Sequence, residues 1–196
     1  MKIRAAALAA LTLSAALLLS GCGAGTDEVS MPGMGHRSTS SSSGVDEVDV
    51  IFASMMIVHH EQAIEMSDLV LDAEGVDPAV VDLAQRIKAA QGPEIDQLEG
   101  WLDDWGIRSD DRDANGMDHG DGMMSGDDLA QLRAADGPEA SQLFLEQMIV
   151  HHEGAVEMAQ VQIDNGKSPE AIALAQKIID AQNDEIQEMK DLLAAL

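Results

Sequence analysis

Apolar residues recur at three- and four-residue intervals along four stretches of this chain, and each stretch reads as an amphipathic helix. The first covers Asp46 to Ala73, the second Val80 to Trp105, the third about Pro138 to Asp164, and the fourth Glu170 to about Ala195. Turn chemistry separates the members of each pair. Gly75-Val76-Asp77-Pro78 offers Asp77 as an N-cap with Pro78 at the first helical position, and Asn165-Gly166-Lys167-Ser168-Pro169 repeats the device with Ser168. Gly106 to Gly126 is polar, acidic and Gly-rich, and reads as a loop. Two helical hairpins joined by a long connection predict an all-α four-helix bundle, with repeat one at 46–105, the connection at 106–136 and repeat two at 137–196.

The repeat is visible residue by residue. Met56 to Met66 reads Met-Ile-Val-His-His-Glu-x-Ala-(Ile/Val)-Glu-Met, and Met148 to Met158 reads the same 92 positions later, with Phe52 and Phe144 preceding the two copies equally. Leu83-Ala84-Gln85 returns as Leu174-Ala175-Gln176, and Glu94-Ile95 as Glu185-Ile186, both offset by 91. With Phe52 at 0° and about 100° per residue, Met56, Ala63, Met66 and Val70 fall within about 40° of Phe52. His59 and His60 fall inside that apolar arc, whereas Glu61 and Glu65 fall opposite it. The third helix repeats this phase, with His151 and His152 inward and Glu153 and Glu157 outward. On the second helix Gln91 and Glu94 lie within the apolar stripe, and Gln182 and Glu185 hold the equivalent places on the fourth. In antiparallel hairpins centred near residues 75 and 166, the His pairs lie level with about Gln91 and Gln182, and Met56 and Met148 level with Glu94 and Glu185.

Four His, two Glu, two Gln and several Met are therefore expected at one depth of the bundle. Two arrangements satisfy such a layer. Neutral imidazoles, carboxylates and thioethers can bind a metal through His59, His60, His151, His152, Met56, Met148, Glu94 and Glu185. Alternatively, Glu94 and Glu185 hydrogen-bond the imidazoles in a purely structural polar network. Met66 and Met158 read as core packing. Pro93, beside Gln91 and Glu94, predicts a kink and two unlike halves of the site, because the fourth helix has Asn183-Asp184 instead.

Composition narrows the chemistry. The chain carries 36 Asp+Glu against 11 Lys+Arg, which makes nucleic acid and anionic lipid surfaces poor partners and favours cations. Tyr is absent, so tyrosyl-radical chemistry is unavailable, and Met is frequent at 12. Met31, Met34 and His36 lie in a Ser/Gly-rich stretch, and Met117, His119, Met123 and Met124 in the central loop. Met in a polar, Gly-rich loop has no core to fill, so these residues are candidates for weak metal capture. Thioether with imidazole suits copper, especially Cu(I), ahead of iron or zinc. No nucleophile motif, phosphate loop or cofactor fingerprint is visible; a metal-dependent oxidoreductase is the remaining enzymatic reading, and no feature identifies a protein partner.

The N-terminus reads as targeting sequence. Lys2 and Arg4 precede an apolar run from Ala5 to Leu19, too short for a spanning helix. Leu19-Ser20-Gly21-Cys22 resembles the lipobox of bacterial lipoproteins, which implies removal of residues 1–21 as a signal peptide and a lipid anchor on Cys22. That cysteine is the only one in the chain, so no internal disulfide can form. Residues 22–45 then read as a flexible tether, and the expected location is extracytoplasmic, on a bacterial membrane.

The set Phe52/Met56/His59-His60/Ala63/Met66 and its copy Phe144/Met148/His151-His152/Ala155/Met158 resembles the DUF305 family of small exported bacterial proteins. The resemblance covers about Asp46 to Leu193. It implies a ferritin-like four-helix fold with His-His as the suspected functional element, and some members are linked to copper binding or resistance. Di-iron bundle sites use Glu-x-x-His, whereas here Glu94-Ile95-Asp96-Gln97 and Glu185-Ile186-Gln187-Glu188 lack the His, so ferroxidase chemistry is disfavoured.

Overall fold

Each apolar stripe forms a helix that starts at a residue able to cap it. In the computed structural model, which describes residues 45–107 and 122–196, α1 is Glu47–Asp72 and α2 is Pro78–Asp104. A short α3 is Gly126–Ala134, α4 is Gly137–Asn165 and α5 is Pro169–Ala195. Asp46, Asp77 and Ser168 accept hydrogen bonds from Val48, Ala79 and Ala171 N–H, so α1, α2 and α5 are all capped, the last two as the turn residues predict. The described residues contain no strand, and no helix among them is long and apolar enough to cross a membrane. The signal peptide, residues 22–44 of the tether with Cys22, and Met31, Met34, His36, Met117 and His119 lie outside the described residues.

The core divides into two apolar clusters, and their membership sets the direction of every helix. One cluster joins Met66 of α1, Leu83 of α2, Phe144 of α4 and Met189 of α5. The other joins Phe52, Leu98, Ala159 and Leu174 of the same four helices. α1 and α5 therefore run one way, and α2 and α4 the other. α2 ends at the end of the bundle opposite to the start of α4, so the connection between them must travel its full length. A four-helix bundle with one long crossover is the ferritin-like topology. α1 packs along α2 and α4, and α4 along α1 and α5.

The crossover corrects the expected loop at 106–136, because its second part is helical. Ser125 and Asp128 form a reciprocal capping box, with Ser125 Oγ accepting from Asp128 N–H and Asp128 Oδ2 accepting from Ser125 N–H. Leu132 of α3 is fully buried in the cluster of Met66 and Phe144. The Gln62 side chain holds the approach to α3 through both backbone groups of one residue: its Nε2 donates to Met124 O at 2.9 Å, and its Oε1 accepts from Met124 N–H at 2.7 Å. Gly122, at φ +94°, lies so close to α4 that a Cβ would fall 2.8 Å from Val150 O. Ser125→Ala should cost about 1 kcal/mol, and faster amide exchange confined to α3 is the measurement that checks it.

α2 runs unbroken through Pro93. Pro93 and Ala89, whose carbonyl loses its intrahelical donor there, are both exposed, so water can serve that carbonyl.

Candidate metal centre

A band of polar side chains separates the two apolar clusters. His59 and His60 stand at mid-length of α1 between Met56 of one cluster and Ala63 of the other, and His151 and His152 stand between Met148 and Ala155 of α4. All four imidazoles are buried, none more than 1% exposed, and Gln91 and Gln182 are buried at 3%. Met56 and Met148 flank the band and are fully buried, whereas Glu61 and Glu153 face solvent, as the helical phase requires.

Each hairpin ties one imidazole to one carboxylate. His60 Nε2 lies 2.7 Å from Glu94 Oε2, and His152 Nε2 lies 2.7 Å from Glu185 Oε2. The two His–Glu distances are equal despite Pro93, although Glu94 is more exposed than Glu185. The pairing corrects the expected level by one turn: Glu94 reaches His60 rather than lying beside Met56. Side chains lean toward the N-terminus of their own helix, and in an antiparallel pair the two therefore lean toward each other.

The second imidazole of each pair faces its counterpart across the bundle. The rings of His59 and His151 stack with centroids 3.7 Å apart and planes tilted by 40°. His152 lies beside them, its ring centroid 6.3 Å from that of His151. Burial, reinforced by the neighbouring imidazoles His60 and His152, lowers the His59 pKa to about 3. Burial also holds His151 well below its ordinary value, with His59 and then His152 adding to the effect. Both rings are thus neutral at ordinary pH, which is the form that ligates metals.

Six imidazole nitrogens in this band have no hydrogen-bond partner: both of His59, both of His151, and Nδ1 of His60 and of His152. Leaving a buried polar group unpaired costs roughly 1–3 kcal/mol each. When His60 Nε2–H donates to Glu94, the lone pair falls on Nδ1, and the same holds for His152 with Glu185. That is how a carboxylate prepares a histidine for a metal. The donors suit a soft ion in kind, though the side chains as they stand form no group of three or more His, Cys, Asp or Glu converged on one point among the described residues.

Not every Met follows the expectation. Met66 is fully buried, but Met158 is only partly covered and lines an open groove. Met124, read as lacking a core to fill, packs against the apolar cluster of Leu132, because Gln62 holds its backbone there. The sequence reading passed over Gln62 and Asp49. Asp49 is buried and accepts from Gln162 Nε2, Lys167 N–H and Ser168 N–H, joining α1 to the turn between α4 and α5. Its place on the helix, about 60° from Phe52 and inside the apolar arc, was the available signal.

The sequence model of DUF305, a domain of unknown function, matches residues 49–193. A DUF305 protein of Streptomyces coelicolor, described as secreted, is similar to this chain at 34% identity and a TM-score of 0.68, over 76% of this chain and 93% of that one. A DUF305 fragment from Deinococcus radiodurans is 30% identical with a TM-score of 0.67, over 78% and 99%. CopM in a Cu(I)-bound form is 31% identical with a TM-score of 0.64, over 75% and 96%, and CopM has also been solved with Cu(II) and with silver. Among curated proteins, none matches the chain.

Proposed function

This chain belongs to the DUF305 family, and on that premise we propose that it binds copper outside the cytoplasm, as a membrane-tethered protein of copper storage, buffering or delivery. One observation carries the reading: six buried imidazole nitrogens without partners, in a band where burial keeps two of the four rings neutral. The copper- and silver-bound forms of CopM support the choice of metal, since Cu(I) and silver share a preference for soft ligands. His59 and His151 supply free ring nitrogens. His60 and His152 supply Nδ1, with Nε2–H held by Glu94 and Glu185. Those carboxylates orient their imidazoles and balance charge. Met56 and Met148 add thioethers from either side, and ligation calls for the stacked rings to turn apart. Lipid modification of Cys22 supplies the tether, and Met31, Met34, His36, Met117, His119 and Met123 are weaker capture ligands upstream of the bundle.

The test replaces His59, His60, His151 and His152 with Gln and titrates Cu(I) under reducing conditions. Loss of copper from a folded variant is the expected result. Unchanged stoichiometry and affinity would reject the site. The two His–Glu pairs favour a second reading, a structural network, under which the variant loses stability and wild type binds no copper. Glu61→Gln with Glu153→Gln should leave affinity within a few-fold at moderate salt, because only a screened field is lost; a hundredfold loss in the same titration would move the site to the outer face. Cys22→Ser should release the protein from the membrane fraction, which immunoblotting of fractionated cells would show.

A further inference from the structure

The two hairpins match contact for contact, both within themselves and where they meet. His60 pairs with Glu94 as His152 does with Glu185. Asp77 N–H donates to Ser141 Oγ on one side, and Ser168 N–H donates to Asp49 Oδ2 on the other. His59 stacks on His151 between them. Asp49 and Ser141 stand 92 residues apart, as do His59 and His151. A surface feature made by both α1 and α4 should therefore occur twice, once on each side of the stacked rings.

One of those features is a groove, and only one copy is filled. On the filled side Leu132 of α3 is fully buried among Met66, Val70, Ala140 and Phe144, with Leu129 packed beside it. Gln147 Nε2 donates to Asp128 O at 3.2 Å, and Arg133 pairs with Glu65 at 3.2 Å. Shifting these positions by 92 leads to Met158, Gln162, Val48, Phe52, Met55 and Glu157. The first five line an open apolar groove of about 190 Å³. Val161, the counterpart of Leu69, is 55% exposed there. No described cation pairs with Glu157, the counterpart of the glutamate that holds Arg133.

We infer that this groove docks a short amphipathic helix of a protein partner, carrying two leucine-class side chains three residues apart and an arginine or lysine beside them to meet Glu157. The filled groove shows what such a surface accepts: apolar anchors at i and i+3, and a cation at the rim. Met55 in place of Gln147 removes the amide that holds α3, so the open groove relies more on apolar contact. A second copy is a poor source of the helix, because its own α3 is already capped and its Leu132 already buried. Glu157 and the acidic chain as a whole favour a partner that brings a cation to the groove. The proposal stands independently of copper binding.

The full chain carrying ¹³C-methyl methionine would be titrated with a helix-stabilised peptide of residues 125–135. Saturable shifts at Met55 and Met158, with Met66 unmoved, are expected. A peptide with Leu129→Ala and Leu132→Ala should produce none. Glu157→Lys should weaken the native peptide about threefold to fivefold and favour a peptide carrying Arg133→Glu. No saturable shift, or shifts that survive loss of both leucines, would overturn the proposal. So would methyl shifts that follow protein concentration alone, which assign the groove to a second copy. Groove methyls shielded before peptide is added, and unresponsive to it, would assign the groove to a segment of this same chain and overturn it equally.

Discussion

Between pH 6.5 and pH 5 the metal-free protein is expected to lose on the order of 1.5 kcal/mol of stability through His59 alone, with His151 adding to the loss in the same direction. His59 titrates near 6.5 once unfolded but near 3 when buried, and His151 is displaced in the same direction. A folded-state pKa below the unfolded value means that the unfolded chain binds more protons across this window. The contribution of each ring is therefore fully present above pH 6.5 and declines as pH falls toward the folded value. Each pH unit in which only the unfolded chain is protonated is worth about 1.4 kcal/mol per ring, less near pH 6.5 where protonation is partial. Against a total stability of roughly 5–15 kcal/mol for a domain, the loss is large. His60 and His152, each tied to a carboxylate, neighbour the stacked pair, so the slope belongs to His59 and His151 only if a variant lacking both abolishes it. Urea unfolding of metal-free protein at half-unit pH steps would measure it. A flat profile above pH 5 would show that water reaches the band and that the rings are not desolvated.

The helices and the inward imidazoles were legible because both follow from period. Phe52, Met56, Ala63 and Met66 mark one face of α1, and His59 and His60 can only lie within it. The all-α bundle follows from two such hairpins. The crossover was less legible, since Leu129 and Leu132 are only two anchors and give no sustained period. The Ser125-x-x-Asp128 box was the one local sign of α3. The His60–Glu94 level was missed by one turn because index sums place backbones, whereas contact depends on the lean of two long side chains. Pro93 left the His–Glu distances of the two hairpins equal, and Ala89, whose carbonyl it frees, is exposed to water. Gln62 could not have been read at all, since its partner is the backbone of residue 124, 62 positions away. The likeness of the two halves was in the sequence from the start, but the groove that α3 leaves open appears only when both halves are seen filled differently.

Replacing His59 and His151 together with Leu should raise the stability of the metal-free protein by at least about 1 kcal/mol while removing its copper response. The four ring nitrogens of this pair are all without partners, and each such group costs roughly 1–3 kcal/mol while buried. Leucine carries no polar atom and is of similar bulk, so the main opposing term is overpacking where the rings now stack 3.7 Å apart, typically 1–3 kcal/mol. The sum favours the variant. Wild type should instead gain about 2.7 kcal/mol when copper is held at a hundred times its dissociation constant, and the variant nothing. The same variant should lack the acid-side slope expected above. Denaturation of both proteins with and without Cu(I), at pH 7 and pH 5, reads all three effects together. A variant less stable than wild type without metal would mean that the stacked imidazoles hold the two hairpins together, and the band would then be a structural polar network. A more stable variant that no longer responds to copper would mean that wild type keeps an unfavourable arrangement of imidazoles which only a metal relieves, the energetic signature of a site built to bind one.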